Sequence, residues 1–187
     1  MQKKIILIAI VAVVAAIAGA VLLAMLSLSS GSSASFDPSN ATYSLYGDTF
    51  TLKDGQIQIM GHSGMGGSVD TTTIPMDYTL ATSSAGDLMG DGSQGDAVVL
   101  YRGFGANLEW LALFGFQKSG AGYSQIASST IYMQDAAVQS ISAANGVVTV
   151  NLLVVSAADQ NLPHYEQTPK APLTLRFKIV GNRFVAQ

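Results

Sequence analysis

GDLMGDGSQGDAVVLY, residues 86–101, sets an Asp/Gly-rich turn directly against an unbroken apolar run. The run itself, Ala97–Tyr101 (AVVLY), carries no polar alternation. Two adjacent β-branched residues, Val98 and Val99, favour extended backbone. A short apolar run bounded by turn residues is consistent with a strand buried on both faces. The chain around it has the same texture on both flanks.

Downstream, Leu108–Gln117 (LEWLALFGFQ) fits either period, and its aromatics and flanking glycines favour a strand. Tyr123–Met133 follows a Ser119-Gly120-Ala121-Gly122 turn. Val138–Ser142 and Val147–Val155 flank Ala143-Ala144-Asn145-Gly146, and Asn-Gly between β-rich runs is the strongest short-range hairpin signal in the chain. Leu173–Val180 alternates Leu173, Leu175, Phe177 and Ile179 with Thr174, Arg176 and Lys178, which marks one wet face. Gly181-Asn182 then turns it into Arg183–Ala186.

Upstream, Ala41–Tyr46, Thr49–Leu52, Gln56–Met60 and Met76–Ala81 are weaker strand segments, with Asp54-Gly55 as a hairpin signal and 61–70 (GHSGMGGSVD) as a Gly-rich loop. The fold class expected is mainly β. A single antiparallel β-rich domain of about nine or ten strands spans 36–187, with no helix beyond an N-terminal anchor.

That anchor is residues 5–26, where 21 of 22 positions are apolar and the other is Gly19. A helix needs about 20 such residues to cross the hydrocarbon core, and a helix satisfies its own backbone there. Lys3 and Lys4 precede the run, and no Lys or Arg follows until Lys53. The positive-inside bias puts the 1–4 tail in the cytoplasm and the C-terminal domain outside, as a single-pass protein of the cell membrane. The rival reading is a cleaved signal peptide, whose apolar core is normally shorter. Residues 27–35 (SLSSGSSAS) form a Ser-rich tether between bilayer and domain.

Composition excludes several classes. With no Cys there are no disulfides, thiolate metal sites or Cys nucleophiles. Beyond the two lysines before the anchor, seven basic residues face twelve acidic ones, a net charge of −5. Such a surface disfavours nucleic acid as a partner.

One stretch carries chemistry. Asp87-x-x-Gly90-Asp91-Gly92 looks like a calcium loop of the D-x-[DN]-x-D-G type, with Asp87 at position 1, Asp91 at position 5 and the Ser93 carbonyl at position 7. Calcium takes 6–8 oxygens at about 2.3–2.6 Å, and a tight acidic loop converges them. Asp96, at position 10, completes the candidate ligand set. Position 3 is Met89, a soft donor for a hard cation. Position 9 is Gly95 and position 12 is Val98, so the bidentate Glu is missing. The alternative is a turn shaped for geometry, with no cofactor.

The same segment resembles the GDLNGDG-x-x-D-A/V signature of an uncharacterised family of membrane-anchored bacterial surface proteins. Asn40-Ala41-Thr42-Tyr43 with Thr51-Leu52-Lys53-Asp54-Gly55 resembles its opening block, and Asn145–Val150 its N-G-x-I-x-V hairpin. The resemblance covers most of 37–187 and implies an anchor followed by a β-rich domain, with no activity assigned to the class. Met89 and Gly95 stand where the family has Asn and Asp.

Elsewhere the residues read as scaffold. His62 and His164 lack partners at metal or triad spacing and read as exposed loop histidines. His62-Ser63-Gly64-Met65-Gly66 has only a superficial likeness to a nucleophile loop, and no G-x-S-x-G elbow occurs. Arg102-Gly103-Phe104-Gly105 lacks the Lys-Ser/Thr of a phosphate loop. Trp110, Phe104, Phe114 and Phe116 read as core, with a ligand groove as the alternative. The polar segment 157–172, holding Tyr165, is the expected contact loop. The function expected is a membrane-tethered extracytoplasmic binding or structural module, not an enzyme, contacting an unknown surface or envelope partner. The competing readings are an extracytoplasmic hydrolase with an unfamiliar site and a calcium-stabilised domain.

Overall fold

The computed structural model describes residues 35–62, 73–104, 109–133, 135–163 and 166–187. The expected membrane segment 5–26, the linker up to residue 34, most of the Gly-rich loop, and His164 with Tyr165 lie outside the described residues. Ser35–Gln187 forms a compact unit. Among the described residues no helix is long and apolar enough to cross a membrane.

Eleven strands run in order: β1 Thr42–Leu45, β2 Asp48–Thr51, β3 Gln56–His62, β4 Thr73–Gly86, β5 Gly95–Phe104, β6 Glu109–Ser119, β7 Gly122–Ile131, β8 Ala137–Ala144, β9 Val147–Val154, β10 Ala171–Val180 and β11 Arg183–Ala186. Every pairing is antiparallel. Eleven strands stand against the nine or ten expected, and the four-residue β1, β2 and β11 coincide with the segments read at Ala41–Tyr46, Thr49–Leu52 and Arg183–Ala186.

The strands form a two-stranded sheet β1-β2, a five-stranded sheet β3-β4-β5-β6-β7 and a four-stranded sheet β11-β10-β9-β8. The five-stranded sheet lies in the middle, because side chains alternate across a strand. On one face Ala97, Val99, Leu111, Leu113 and Ala127 pack with Ile141, Val148, Val150, Leu152, Phe177 and Phe184 of the four-stranded sheet. On the other, Val98, Leu100, Ala112, Phe114, Met76 and Tyr78 pack with Tyr43, Leu45, Phe50 and Leu52 of the β1-β2 hairpin. Residues 97–100 are therefore wholly buried, as the AVVLY run requires.

The hairpin cover is an aromatic stack. Phe50 lies 4.0 Å from Tyr78 between ring centroids, and Tyr43 meets Phe114 edge-on at 4.8 Å. The Tyr43 hydroxyl donates to the Pro38 carbonyl at 2.6 Å, which satisfies the one polar atom the ring carries inward.

The turn signals split. Asn145 and Gly146 both have positive φ (51° and 74°) and join β8 to β9, with Ala144 opposite Val147. This is the paired left-handed turn that Asn-Gly favours. Gly181-Asn182 joins β10 to β11. Asp54 and Gly55 also have positive φ (51° and 86°), but the hairpin they close stops at one bridge, Lys53 with Gln56. Beyond it β2 pairs with β1 and β3 with β4, so Asp54-Gly55 is a corner between two layers. The unanticipated left-handed pair is Tyr46-Gly47, which closes β1-β2.

The layers approach closely at Gly86, where an added Cβ falls 1.9 Å from the Ala143 carbonyl oxygen of β8. Gly122 has open space and ordinary φ. Gly86→Ala is expected to destabilise the fold by about 1–3 kcal/mol, the usual cost of overpacking. Gly122→Ala is expected to stay within about 0.5 kcal/mol. Urea denaturation of both variants checks the contrast, and equal midpoints contradict the close packing of β4 on β8.

Candidate functional site

The Asp/Gly loop comes first, since the sequence singles it out. Asp87 accepts from the Gly90 and Gly92 amides through its two carboxylate oxygens, at 2.6 and 3.1 Å. Asp91 accepts from the amide and hydroxyl of Ser93 through one oxygen. Gly90 and Gly92 supply the positive φ the turn demands (79° and 81°). The Ser93 hydroxyl in turn accepts from the Gln117 amide at 2.8 Å. These hydrogen bonds hold the Asp91 carboxyl below its ordinary value, the Ser93 hydroxyl contributing most.

Asp96 is elsewhere. It sits in β5, opposite Phe116 of β6 and Ala85 of β4, and is buried. Loss of water pushes its carboxyl above the ordinary value of 3.8. Asp87, Asp91, Ser93 and Asp96 are thus adjacent in sequence but are not drawn onto one point. Among the described residues no group of three acidic or His side chains is placed to hold a metal.

The loop has a structural task. The Asp87 carbonyl accepts the Gly146 amide at 3.0 Å, and a Cβ on Gly146 would lie 3.2 Å from Gly90. Leu88 points inward and is buried among Gly95, Gly115 and the core between the two large sheets. The loop therefore pins the β8-β9 turn to the end of the central sheet.

A different cluster assembles at the opposite end of β5. Arg102 is fully buried. Its Nε donates to the Tyr78 hydroxyl at 3.2 Å, and an Nη donates to the His62 carbonyl at 2.7 Å. The guanidinium carbon lies 5.3, 5.8 and 6.0 Å from the ring centroids of Tyr46, Trp110 and Tyr78. Aromatic faces substitute for part of the lost hydration of a cation, and Arg is the cation best suited to them.

Two neighbours continue the cluster outward. His62 ends β3, and its Nδ1 lies 2.7 Å from an Asp48 carboxylate oxygen whose partner oxygen accepts the His62 amide at 2.6 Å. The Tyr46 and Tyr132 hydroxyls share a hydrogen bond at 2.8 Å, and Trp110 meets the Tyr132 ring edge-on at 5.0 Å. Tyr132 is 56% exposed, yet its hydroxyl is tucked against Tyr46. Reduced hydration first, and then that bond, push its phenol up to about 12. Burial likewise raises Tyr78, with Arg102 opposing it. Both phenols stay neutral at neutral pH.

His62 is therefore a partnered strand residue and not the exposed loop histidine the sequence suggests. Phe114 and Phe116 are core, as expected. Trp110 is only half-buried and belongs to the Arg102 cluster. The contact loop 157–172 is fastened by Lys170 to Asp159 at 3.0 Å, and by the Gln167 side chain to the carbonyls of Gln160 and Leu162. A shallow groove of 660 Å³ beside Lys53, Gln58 and Asp77 is open and gathers no such cluster. The Arg102 cluster draws on residues 46, 48, 62, 78, 102, 110 and 132. The one sequence-level signal was an Arg following directly on a wholly apolar strand.

No family model, no curated protein and no solved structure matches this chain.

Asp96 offers a pH test. A carboxyl whose folded value is raised favours the protonated fold, so its contribution is best at low pH. That contribution is lost as pH rises from the ordinary value of 3.8 through the raised one. Asp96→Asn is therefore expected to raise the melting temperature at pH 7, with the gain shrinking as pH falls towards 3.8. Melts at pH 7 and pH 4 check this. A loss at pH 7 would mean that the carboxylate is held by a favourable partner.

Proposed function

We propose that the chain is a membrane-tethered extracytoplasmic binding module whose recognition surface is the rim of the Arg102 cluster. The apolar run 5–26, the lysines before it and the Ser-rich linker after it support the tether. The resemblance to membrane-anchored surface proteins points the same way.

The observation that carries the binding site is a fully buried guanidinium boxed by Tyr46, Tyr78 and Trp110. Desolvating a cation is costly, so a buried guanidinium needs surrounding groups that hold it in one geometry. Arg102 positions the box from within. The exposed part belongs to Tyr132 and to the His62–Asp48 pair. An aromatic face beside an imidazole and a carboxylate suits a ligand with apolar ring faces and many hydroxyls. Envelope glycans have that chemistry.

A second reading, an extracytoplasmic hydrolase, rests on His62 and Asp48, since an imidazole oriented by a carboxylate at 2.7 Å is the arrangement of a general base. Among the described residues no hydroxyl nucleophile bonds to that imidazole.

Trp110 is the sole tryptophan and sits in the box, so its emission reports the site directly. Titrating the full chain with soluble muropeptides or chito-oligosaccharides is expected to shift that emission saturably. Tyr132→Ala is expected to weaken binding by about ten-fold, an ordinary cost for an exposed aromatic contact. No emission change with either probe contradicts the glycan reading. Hydrolysis of the probe, lost in His62→Gln, would replace binding with catalysis. Millimolar calcium against chelator is expected to leave the melting temperature unchanged, whereas a rise abolished by Asp87→Asn would restore the calcium-stabilised reading.

A further inference from the structure

The four-stranded sheet β11-β10-β9-β8 turns one face to the core and the other to solvent. Alternation decides which residues stand on the outer face. Phe177 of β10 and Phe184 of β11 are buried, so Arg176, Lys178 and Val180 point outward, as do Arg183 and Val185. The register sets Lys178 opposite Val185 and Val180 opposite Arg183. Arg176 and Lys178 therefore stand about 7 Å apart along one strand, with Arg183 on its neighbour.

Charge is segregated on this sheet. Beyond the two lysines before the apolar run, the chain carries seven basic and twelve acidic residues. The strands β8, β9, β10 and β11 hold three of the basic residues and no acidic one. All three are exposed, and among the described residues no carboxylate pairs with them. The nearest acids are engaged in loops. Asp159 and Glu166 share the segment that joins β9 to β10, where Lys170 meets Asp159 at 3.0 Å. Asp87 and Asp91 are turned into the amides of their own turn. Asp48 belongs to the hairpin on the far side of the central sheet, beyond a screening length of about 8 Å.

The rest of the face is neutral. The Thr174 hydroxyl donates to the Asn151 side-chain carbonyl, and the Asn151 amide donates to the Ser140 hydroxyl, so that row closes on itself. Val180 and Val185, 62% and 48% exposed, stand beside the cations. A small ligand needs a concave site, whereas a sheet face spreads its groups over a plane. Cations interleaved with exposed aliphatic side chains suit a partner that is anionic at its surface and apolar just beneath. A bilayer with anionic headgroups has that chemistry.

We propose that the outer face of β10 and β11 docks the domain on an anionic phospholipid surface, through Arg176, Lys178 and Arg183 with Val180 and Val185 beside them. The docking rests on the tethered-module reading for its proximity. The linker 27–35 spans at most about 30 Å, which keeps the domain close to the bilayer that anchors it. The Arg102 cluster is then turned the other way. Its Tyr46 and Asp48 come from the hairpin, which covers the opposite face of the central sheet. Docking through β10 thus leaves the candidate glycan site facing away from lipid.

The chain has no cysteine, so a fluorophore on Val180→Cys reports this face alone. The full chain is incorporated into phosphatidylcholine vesicles with or without phosphatidylglycerol. Quenching of the label by a lipid-borne quencher is expected to rise about three-fold or more when phosphatidylglycerol is present. The same label on Thr49→Cys, an exposed hairpin position, is expected to stay unchanged. Adding Arg176→Gln, Lys178→Gln and Arg183→Gln to Val180→Cys is expected to weaken docking by about five-fold for each cation removed. Equal quenching in the two lipids, or quenching indifferent to these three substitutions, overturns the docking and leaves the tether standing. A chain that does not float with phosphatidylcholine vesicles overturns the tether instead. Docking is then supported by flotation with phosphatidylglycerol vesicles that the three substitutions abolish, and overturned without it. A label response to soluble polyglycerol phosphate but not to vesicles overturns lipid as the partner and gives the face to an anionic polymer.

Discussion

Burial of β5 on both faces is the constraint on which the rest of the molecule depends. Ala97, Val98, Val99 and Leu100 are all sealed from water, with successive side chains entering opposite cores. A strand of that kind cannot lie in a two-layer sandwich with one wet face. It needs a cover on each side, at about 1.5–3 kcal/mol for every large aliphatic side chain withdrawn from water. The four-stranded sheet supplies one cover from the C-terminal third of the chain. A hairpin of two four-residue strands supplies the other, and so small a cover works because it is aromatic. Tyr43 and Phe50 bring large apolar area on few residues, and their stacking on Tyr78 and Phe114 adds directional contact.

The same strand explains where the polar chemistry lies. β5 runs from a buried carboxylate, Asp96, through the five residues of AVVLY to a buried guanidinium, Arg102. The two charges are too far apart along an extended strand to neutralise each other. Each end therefore meets its own surroundings. Asp96 answers loss of hydration by a raised carboxyl value. Arg102 meets, among other groups, a phenol, a carbonyl and three ring faces. An aromatic box around a permanent cation is the chemical consequence of extending a doubly buried strand into a charged residue.

How much of this was legible follows from the range of each signal. AVVLY announced its own burial, and Asn145-Gly146 and Gly181-Asn182 announced their hairpins, because each signal is contained in neighbouring residues. Asp54-Gly55 was legible as a turn but not as a corner. Its backbone is what a hairpin needs, yet Leu52 and Ile57 are drawn to a core shared with other strands. The β1 and β2 strands were legible as weak segments, but their role as a cover was not, because four alternating residues do not say which sheet they pack on. The Arg102 cluster was not legible, since its members come from six separate stretches and meet only once the sheet is assembled. His62 read as a loop residue because glycines follow it, whereas its partner Asp48 is placed by the hairpin.

The Asp/Gly loop shows how a motif and its chemistry separate. The sequence offered carboxylates at calcium-like spacing, and the carboxylates are present on a tight turn with both glycines left-handed. Asp87 accepts the Gly90 and Gly92 amides through its two oxygens. Those bonds close the turn that carries Leu88 inward and holds the Asp87 carbonyl to Gly146. A calcium loop of the motif's type draws on further oxygens, such as an Asn at position 3 and an acidic group at position 9. Here those positions are Met89 and Gly95, and Gly95 is required by packing, since a Cβ there would fall 2.6 Å from the Phe116 carbonyl. Gly95 is thus set by the sheet junction. The spacing Asp-x-x-Gly-Asp-Gly is explained by the geometry of a turn that must cap one sheet and grip another.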